Sequence, residues 1–433
     1  MDAKRVAPVG NGILLILLCA AVAAVGVVWP AWDMFGPARR PMLQGWDDSF
    51  YYFWLPSVVI DHDVDFTNQL VHSGTIDPAT RDIALTLPRT VTGHIESKYP
   101  PGWAVGSLPF FLIAHAFSPP NSSGFEPIYL LSVWLGQLLY AAIGLWLAVR
   151  IISRYFPTEV ALTAVLVGWL TSSLVYYQTA RLSMSHSQVF VLAMAVYWIA
   201  LRVCDGESTP RSWGLFGFFA ALLVVTRNVA AVYLAFPLWM VIRKLRSVRL
   251  ALWMIFGAAG PIAVQMLAWK LLYGSWIAYS YGGERFDFAH LHLRDVLVSP
   301  RHGWFYWQPL TLPAVMAFTA WAWHRNEGRA WLISLVAIVV LSAAWPTWWL
   351  GSSFGYRGFE VPTLFVMLGL AVLLDLVRRA PKMRITLSCI LFAAVAWNLA
   401  LFALFLTQRI PREEPVTYAH AVQALRTWIG NVR

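Results

Sequence analysis

The chain has 433 residues, 59% of them hydrophobic and only 12% charged, against about 45–50% apolar and about 25% charged in a typical soluble domain. That balance excludes an ordinary cytosolic enzyme. The formal charge of +10 would suggest nucleic acid in a soluble protein, but here the cations sit between apolar runs, where loop charge sets membrane orientation, and no nucleic-acid partner is expected.

Apolar runs long enough to cross a hydrocarbon core of about 30 Å, each needing about 20 helical residues, recur along the chain. The first, near 13–29, follows Lys4 and Arg5 and lacks a small-residue cleavage site before Trp29-Pro30-Ala31-Trp32. It reads as an uncleaved span, not a signal peptide. A polar stretch from Asp33 to about Lys98 follows, then a short apolar segment from Gly102 to Phe117, broken by Pro109. Further candidate spans fall near 126–150, 158–178, 186–202, 213–226, 229–242, 250–272, 309–323, 330–348, 360–378 and 385–406. Backbone groups in lipid need partners within the segment, so these are helices and the fold class is all-α. The tail after Gln408 carries Tyr418, Ala421, Val422, Leu425 and Ile429 at helical spacing and predicts a short surface amphipathic helix. The chain divides into a membrane domain, 1–406, whose loop 33–101 holds juxtamembrane helices, and a tail, 407–433.

Lys and Arg accumulate in short cytoplasmic loops. Arg150 and Arg154; Arg202 and Arg211; Arg243, Lys244, Arg246 and Arg249; Arg325 and Arg329; and Arg378, Arg379, Lys382 and Arg384 occupy every second loop. The intervening loops carry Arg181, Arg227 and Arg357 singly, beside polar or aromatic residues. Parity then places the N-terminus inside and the single arginines and C-terminus outside, with about 11 spans. On this count 102–117 does not cross completely; an extra full span with an external N-terminus is the alternative. The hairpin 213–226/229–242 is too short to reach across the core at 1.5 Å per residue, which sinks its apex Thr226-Arg227-Asn228 below the outer surface. An ionisable residue at that depth faces a cavity or a partner, or else snorkels to the interface.

Cys19, Cys204 and Cys389 are too scattered for a disulfide framework or a metal site. Asp61-His62-Asp63-Val64-Asp65 lacks the glycine and distal glutamate of a calcium loop and reads as solvated. His290-Leu291-His292 with His302, and His94 with Glu96, are weak metal candidates, and no cofactor is expected. No Gly-rich phosphate loop, dinucleotide fingerprint or Ser-His-Asp order is present.

Two stretches suggest chemistry. Gly45-Trp46-Asp47-Asp48-Ser49-Phe50-Tyr51-Tyr52-Phe53-Trp54 sets paired carboxylates at the start of an aromatic helix. The macrodipole stabilises them there, and a carboxylate held at the membrane surface suits a general base acting on a lipid-borne substrate; simple capping is the alternative. Glu96-Ser97-Lys98-Tyr99-Pro100-Pro101-Gly102 fixes a lysine near headgroup depth, where a cation suits a phosphate.

An acidic pair just after the first span, followed by Lys-x-Pro-Pro-Gly before the second apolar segment, resembles the GT-C superfamily of polyprenyl-phosphate-sugar-dependent glycosyltransferases. That superfamily includes the protein O-mannosyltransferases and lipid A aminoarabinose transferases. Arg181-Leu182-Ser183-Met184-Ser185-His186-Ser187, Thr226-Arg227-Asn228, Ser299-Pro300-Arg301-His302-Gly303-Trp304 and Trp349-Leu350-Gly351-Ser352-Ser353-Phe354-Gly355-Tyr356-Arg357 extend the likeness. The resemblance implies an inverting transferase at the outer face of the inner membrane, taking sugar from a polyprenyl-phosphate donor to a glycan, lipid or protein acceptor. Asp47 matches the catalytic acid and Asp48 its acidic neighbour, although the family pair is Asp-Glu. Lys98 matches a lysine that contacts the lipid phosphate, although Tyr99 is inserted into the usual Lys-Pro-Pro.

A phosphate departing from the anomeric carbon gathers negative charge, so Lys98, Arg181, Arg227 and Arg357, with His186 as a neutral donor, form the expected phosphate cradle. Tyr51, Tyr99 and Tyr356 are the candidate substrate-binding aromatics. A flippase or transporter of lipid-linked sugars, with charges lining a path through both halves, and a noncatalytic scaffold of the same fold are the rival readings.

Overall fold

The computed structural model describes residues 18, 20–23, 43, 45–72, 78–378 and 380–430. The expected first span lies largely outside them, as do Lys4 and Arg5.

The molecule is built of helices. Among the described residues no strand forms, and β pairing is confined to isolated bridges such as Arg89 with Ile95. The acidic pair opens α1 (Trp46–Pro56), which continues as a π-turn over Ser57–Asp61. Next come α2 (Gly102–Ala116), α3 (Pro127–Ile152), α4 (Thr158–Leu170), α5 (His186–Cys204), α6 (Pro210–Thr226) and α7 (Ala235–Ile242). They are followed by α8 (Val248–Tyr273), α9 (Thr311–Trp323), α10 (Asn326–Ala343), α11 (Thr363–Val377), α12 (Pro381–Leu406) and α13 (Tyr418–Gly430). Among the described residues five helices (α3, α5, α8, α10 and α12) are long and apolar enough to cross a membrane. The protein is an integral membrane protein.

The expected spans from 126–150 onward each coincide with helix, with two physical differences, and the segment before them differs as well. The 158–178 segment bends at Thr171-Ser172-Ser173 and resumes as a single turn, Leu174–Tyr177. The 229–242 segment begins as a 3-10 helix, Asn228–Leu234, before turning α-helical. Segment 102–117 is not broken by Pro109, which lies inside a continuous 15-residue α2. At 1.5 Å per residue α2 is about 22 Å long, short of a full crossing.

Helix packing in lipid relies on close approach, because lipid tails supply no hydrophobic drive between helices. The α6–α8 contact is of this kind. A methyl group added at Gly217 would meet the Met254 carbonyl oxygen at 1.9 Å, and one at Gly257 the Gly214 carbonyl oxygen at 2.0 Å. Gly102 does the same between α2 and the end of α6, where an added methyl would lie 2.5 Å from the Val225 carbonyl oxygen. Bare backbone at Gly102 therefore lets the Lys98 segment sit against Thr226-Arg227.

The loops segregate into two groups at opposite ends of α3, α5 and α6. At one end Arg154 donates to Asp205 at 2.7 Å, Tyr155 reaches Glu327, and Arg325 stacks on Trp321 at 4.6 Å. Every one of those residues belongs to a basic loop or its border. The single arginines collect at the other end.

Candidate functional site

The site forms where α1, the Lys98 segment, the α6 terminus and the Tyr356-Arg357 turn meet. Asp47 and Asp48 share the first turn of α1, but their side chains diverge, as successive helical positions do. Asp48 is fully buried and accepts hydrogen bonds from Arg181 Nε at 3.0 Å and the Ser183 hydroxyl at 3.4 Å. Asp47 turns the other way. Its Oδ2 lies 3.0 Å from Arg357 Nη1, and its Oδ1 accepts the Tyr99 hydroxyl. Desolvation pushes the Asp47 pKa up, but Arg357, the Tyr99 hydroxyl, Lys98 and Arg227 together overcome it and hold the carboxyl at about 2.

The supporting contacts come from distant parts of the chain. Trp54 Nε1 donates to the Tyr99 carbonyl at 3.1 Å, and the Tyr273 hydroxyl at the end of α8 donates to the Ser97 carbonyl at 2.9 Å. Lys98 is thus carried on a strap held from both sides, and its Nζ meets Glu284 Oε1 at 2.6 Å. The Tyr177 hydroxyl accepts the Phe354 N–H at 3.0 Å, which fixes the turn leading into Tyr356-Arg357. Tyr51 packs edge-on to Tyr99, with ring centroids 5.1 Å apart.

These groups surround a cavity of about 1030 Å³, at the upper limit of the 300–1,000 Å³ or so usual for ligand pockets. Asp47, Tyr51, Lys98, Tyr99, His186, Arg227, Tyr356 and Arg357 all line it. The remaining wall is largely apolar, with Val224, Val229 and Val232 from the broken hairpin, Ile262 and Met266 from α8, and Ile338 and Leu341 from α10.

The structure therefore brings eight of the ten sequence candidates to one hollow. The other two, Asp48 and Arg181, are not among the lining residues. Arg181 was expected with the phosphate cations; it is paired instead with buried Asp48, and a methyl at Gly45 would crowd its Nη2 at 2.9 Å. Its cation compensates a carboxylate that would be costly to bury alone. Arg301 and His302 also sit elsewhere. Arg301 stacks on Trp349 at 4.1 Å, and the His302 ring lies between the Trp349 and Arg412 carbonyl oxygens at 2.8 and 3.0 Å. Burial lowers the His302 pKa to about 4. His290 and His292 pair with Asp287 and Asp295. Among the described residues no group of three His, Cys, Asp or Glu side chains could hold a metal ion.

Two acids at the site were not singled out from the sequence. Glu284 comes from the polar loop Gly282-Gly283-Glu284-Arg285, where nothing distinguishes it from a solvated residue. Glu360 borders the apolar run of α11, three residues after Arg357. An acid placed there, next to a single arginine, was the available signal.

The bundle, with its charged hollow at one end of the helices, is similar in fold to solved membrane-protein structures. Its solved counterparts include ArnT from Cupriavidus metallidurans. The crystal structure of that protein bound to undecaprenyl phosphate aligns over 98% of this chain and 76% of its own, with TM-score 0.52 and 13% identity. Its apo structure gives 0.51 over 97% and 76%, again at 13% identity. At this identity the likeness is one of fold. No family model matches the chain, and no curated protein matches it in sequence.

Proposed function

We propose that the protein is an inverting glycosyltransferase that moves a sugar from a polyprenyl-phosphate donor to an acceptor at the outer face of the membrane. One observation carries this reading: Asp47 and three cations from four separated segments meet, with Glu284 beside Lys98, in a single cavity whose remaining wall is largely apolar. An isoprenoid tail matches that wall, and a phosphate matches Lys98, Arg227 and Arg357. The fold shared with ArnT, crystallised with undecaprenyl phosphate, agrees with such a ligand.

In this reaction the acceptor hydroxyl attacks the anomeric carbon and gives its proton to Asp47. The bond from that carbon to the phosphate oxygen breaks, and polyprenyl phosphate leaves with the electron pair. The three cations stabilise the charge growing on the phosphate. Arg357 has a second part to play. In the free protein it holds Asp47 as a weak base, whereas a phosphate drawing the guanidinium away raises the basicity of Asp47 once donor is bound. Arg181 belongs to the support of α1, and inversion follows from the resemblance to the GT-C family.

The test uses purified protein in lipid nanodiscs with a labelled polyprenyl-phosphate sugar and membrane extract as the acceptor source. Release of polyprenyl phosphate is expected. Asp47→Asn should lower it about 10²–10⁴-fold, the usual worth of a general base, while leaving the lipid bound. No release by the wild type, or full turnover by Asp47→Asn, would overturn the reading or remove Asp47 from it.

A further inference from the structure

Glu360 is 2% exposed and is not among the residues lining the cavity. Both groups it faces do line it. Its Oε1 lies 2.8 Å from Arg227 Nη1, and its Oε2 lies 3.6 Å from His186 Nδ1. A carboxylate this deep is costly unless paired, and Arg227 supplies the opposite charge.

The placement of Glu360 gives the pair a further consequence. Arg357 and Glu360 occupy one short turn, with a 3-10 helix over Arg357–Phe359. That turn gives a cation, Arg357, to Asp47 and an acid, Glu360, to Arg227. A second tie follows the same route, because the Tyr233 hydroxyl donates to the Gly358 carbonyl at 2.9 Å. Arg227 sits at the break between α6 and the 3-10 helix, in extended backbone at φ −155°, ψ 112°. Its N–H donates to the Leu223 carbonyl at 3.1 Å and its carbonyl accepts the Ala230 N–H at 2.8 Å, which fixes the backbone at the break and leaves the direction of the long guanidinium side chain to its side-chain contacts.

We propose that Glu360 is a positioning residue, which fixes the Arg227 guanidinium relative to Arg357 so that the two arginines engage one phosphate together. A guanidinium has five N–H donors in a planar fork, so Nη1 can serve Glu360 while the same group serves an anion. The inference rests on the reading of Arg227 as a phosphate ligand. Glu360 touches no substrate; it acts through Arg227.

The experiment measures the affinity of full-length protein in nanodiscs for polyprenyl phosphate, which needs no acceptor and no turnover. Wild type, Arg227→Gln, Glu360→Gln and the double variant form a cycle. Each single variant should bind about tenfold more weakly, as expected for one charge-assisted contact, and the double variant should bind no more weakly than Arg227→Gln alone. Wild-type affinity in Glu360→Gln, or a double variant weakened by the product of the two single losses, would overturn the positioning role, since a general structural defect adds to the loss of Arg227. Should Glu360→Gln not fold, Glu360→Asp takes its place; it keeps the charge but shortens the reach, and its loss should vanish in the Arg227→Gln background. Wild-type protein that does not bind the lipid would sink the donor reading itself, an outcome separate from a bound lipid insensitive to Glu360.

Discussion

Adjacent residues of like chemistry acquire opposite roles once α1 turns them apart. Asp48 goes inward to Arg181 and has no access to the cavity, whereas Asp47, with 27% of its side chain exposed, faces the cavity. The acid pair, Lys98 and the single arginines were legible in the sequence because ionisable groups are rare beside apolar spans and each must be explained. Which acid serves which arginine was not legible, since that depends on the helical rotation and on contacts more than a hundred residues apart. The pairing has a consequence for pH. Asp47 has a folded pKa of about 2, below its ordinary 3.8. Its pairing therefore stabilises the fold fully above pH 3.8 or so, and that contribution is lost as pH falls through about 2. Between pH 5 and 8 the wild-type kcat/KM should show no acid limb from this group. In Arg357→Gln, desolvation loses its main opponent and the pKa rises. The expected outcome is a fall in kcat/KM toward pH 5 in the variant alone, beyond a loss of about tenfold at neutral pH from the missing phosphate contact. A variant profile as flat as that of the wild type would show that Arg357 does not control Asp47.

Helix positions followed from hydropathy because lipid leaves the backbone no alternative. Helix interruptions did not. Pro109 reads as a break yet lies inside α2, where it costs a single backbone hydrogen bond in a helix packed on α1, α3 and α6. By contrast, the stretch after Asn228 contains no proline until Pro237 and still forms a 3-10 helix. Tethers from elsewhere, Arg227 to Glu360 and Tyr233 to Gly358, accompany that departure. The short hairpin was readable from its length; the close seating of α6 on α8 was not, because a glycine in an apolar run signals nothing until its neighbour is known. The seating predicts that Gly217→Val is strongly destabilising. Its Cβ would strike backbone, the Met254 carbonyl oxygen at 1.9 Å, which has no rotamer to escape into. Overpacking typically costs about 1–3 kcal/mol, so the thermal midpoint in detergent should drop by several degrees, whereas Gly260→Ala, with nothing within 4 Å, should leave it unchanged. Equal midpoints for the two variants would mean that the helices are not in contact as described.

At the scale of the whole molecule, the separation of basic loops from single arginines determines which chemistry is available. Arg154, Arg202, Arg325 and Arg378 pair with acids or aromatic rings at one end of the bundle, while Asp47, Lys98, Arg227 and Arg357 gather at the other. The positive-inside rule assigns the first end to the cytoplasm. The cavity would then open where nucleotide sugars are absent, and the proposed lipid-linked donor would be the natural one. Single cysteines test this directly, in a background with Cys19, Cys204 and Cys389 replaced. Leu245→Cys lies in the basic loop between α7 and α8, and Ala289→Cys in the exposed loop beyond Glu284 that flanks the cavity. A membrane-impermeant maleimide added to intact cells should label Ala289→Cys at once and Leu245→Cys only after permeabilisation. The reverse pattern would turn the cavity toward the cytoplasm. Activated sugars on soluble nucleotides are available there, and the argument from donor availability would no longer favour a polyprenyl carrier over them.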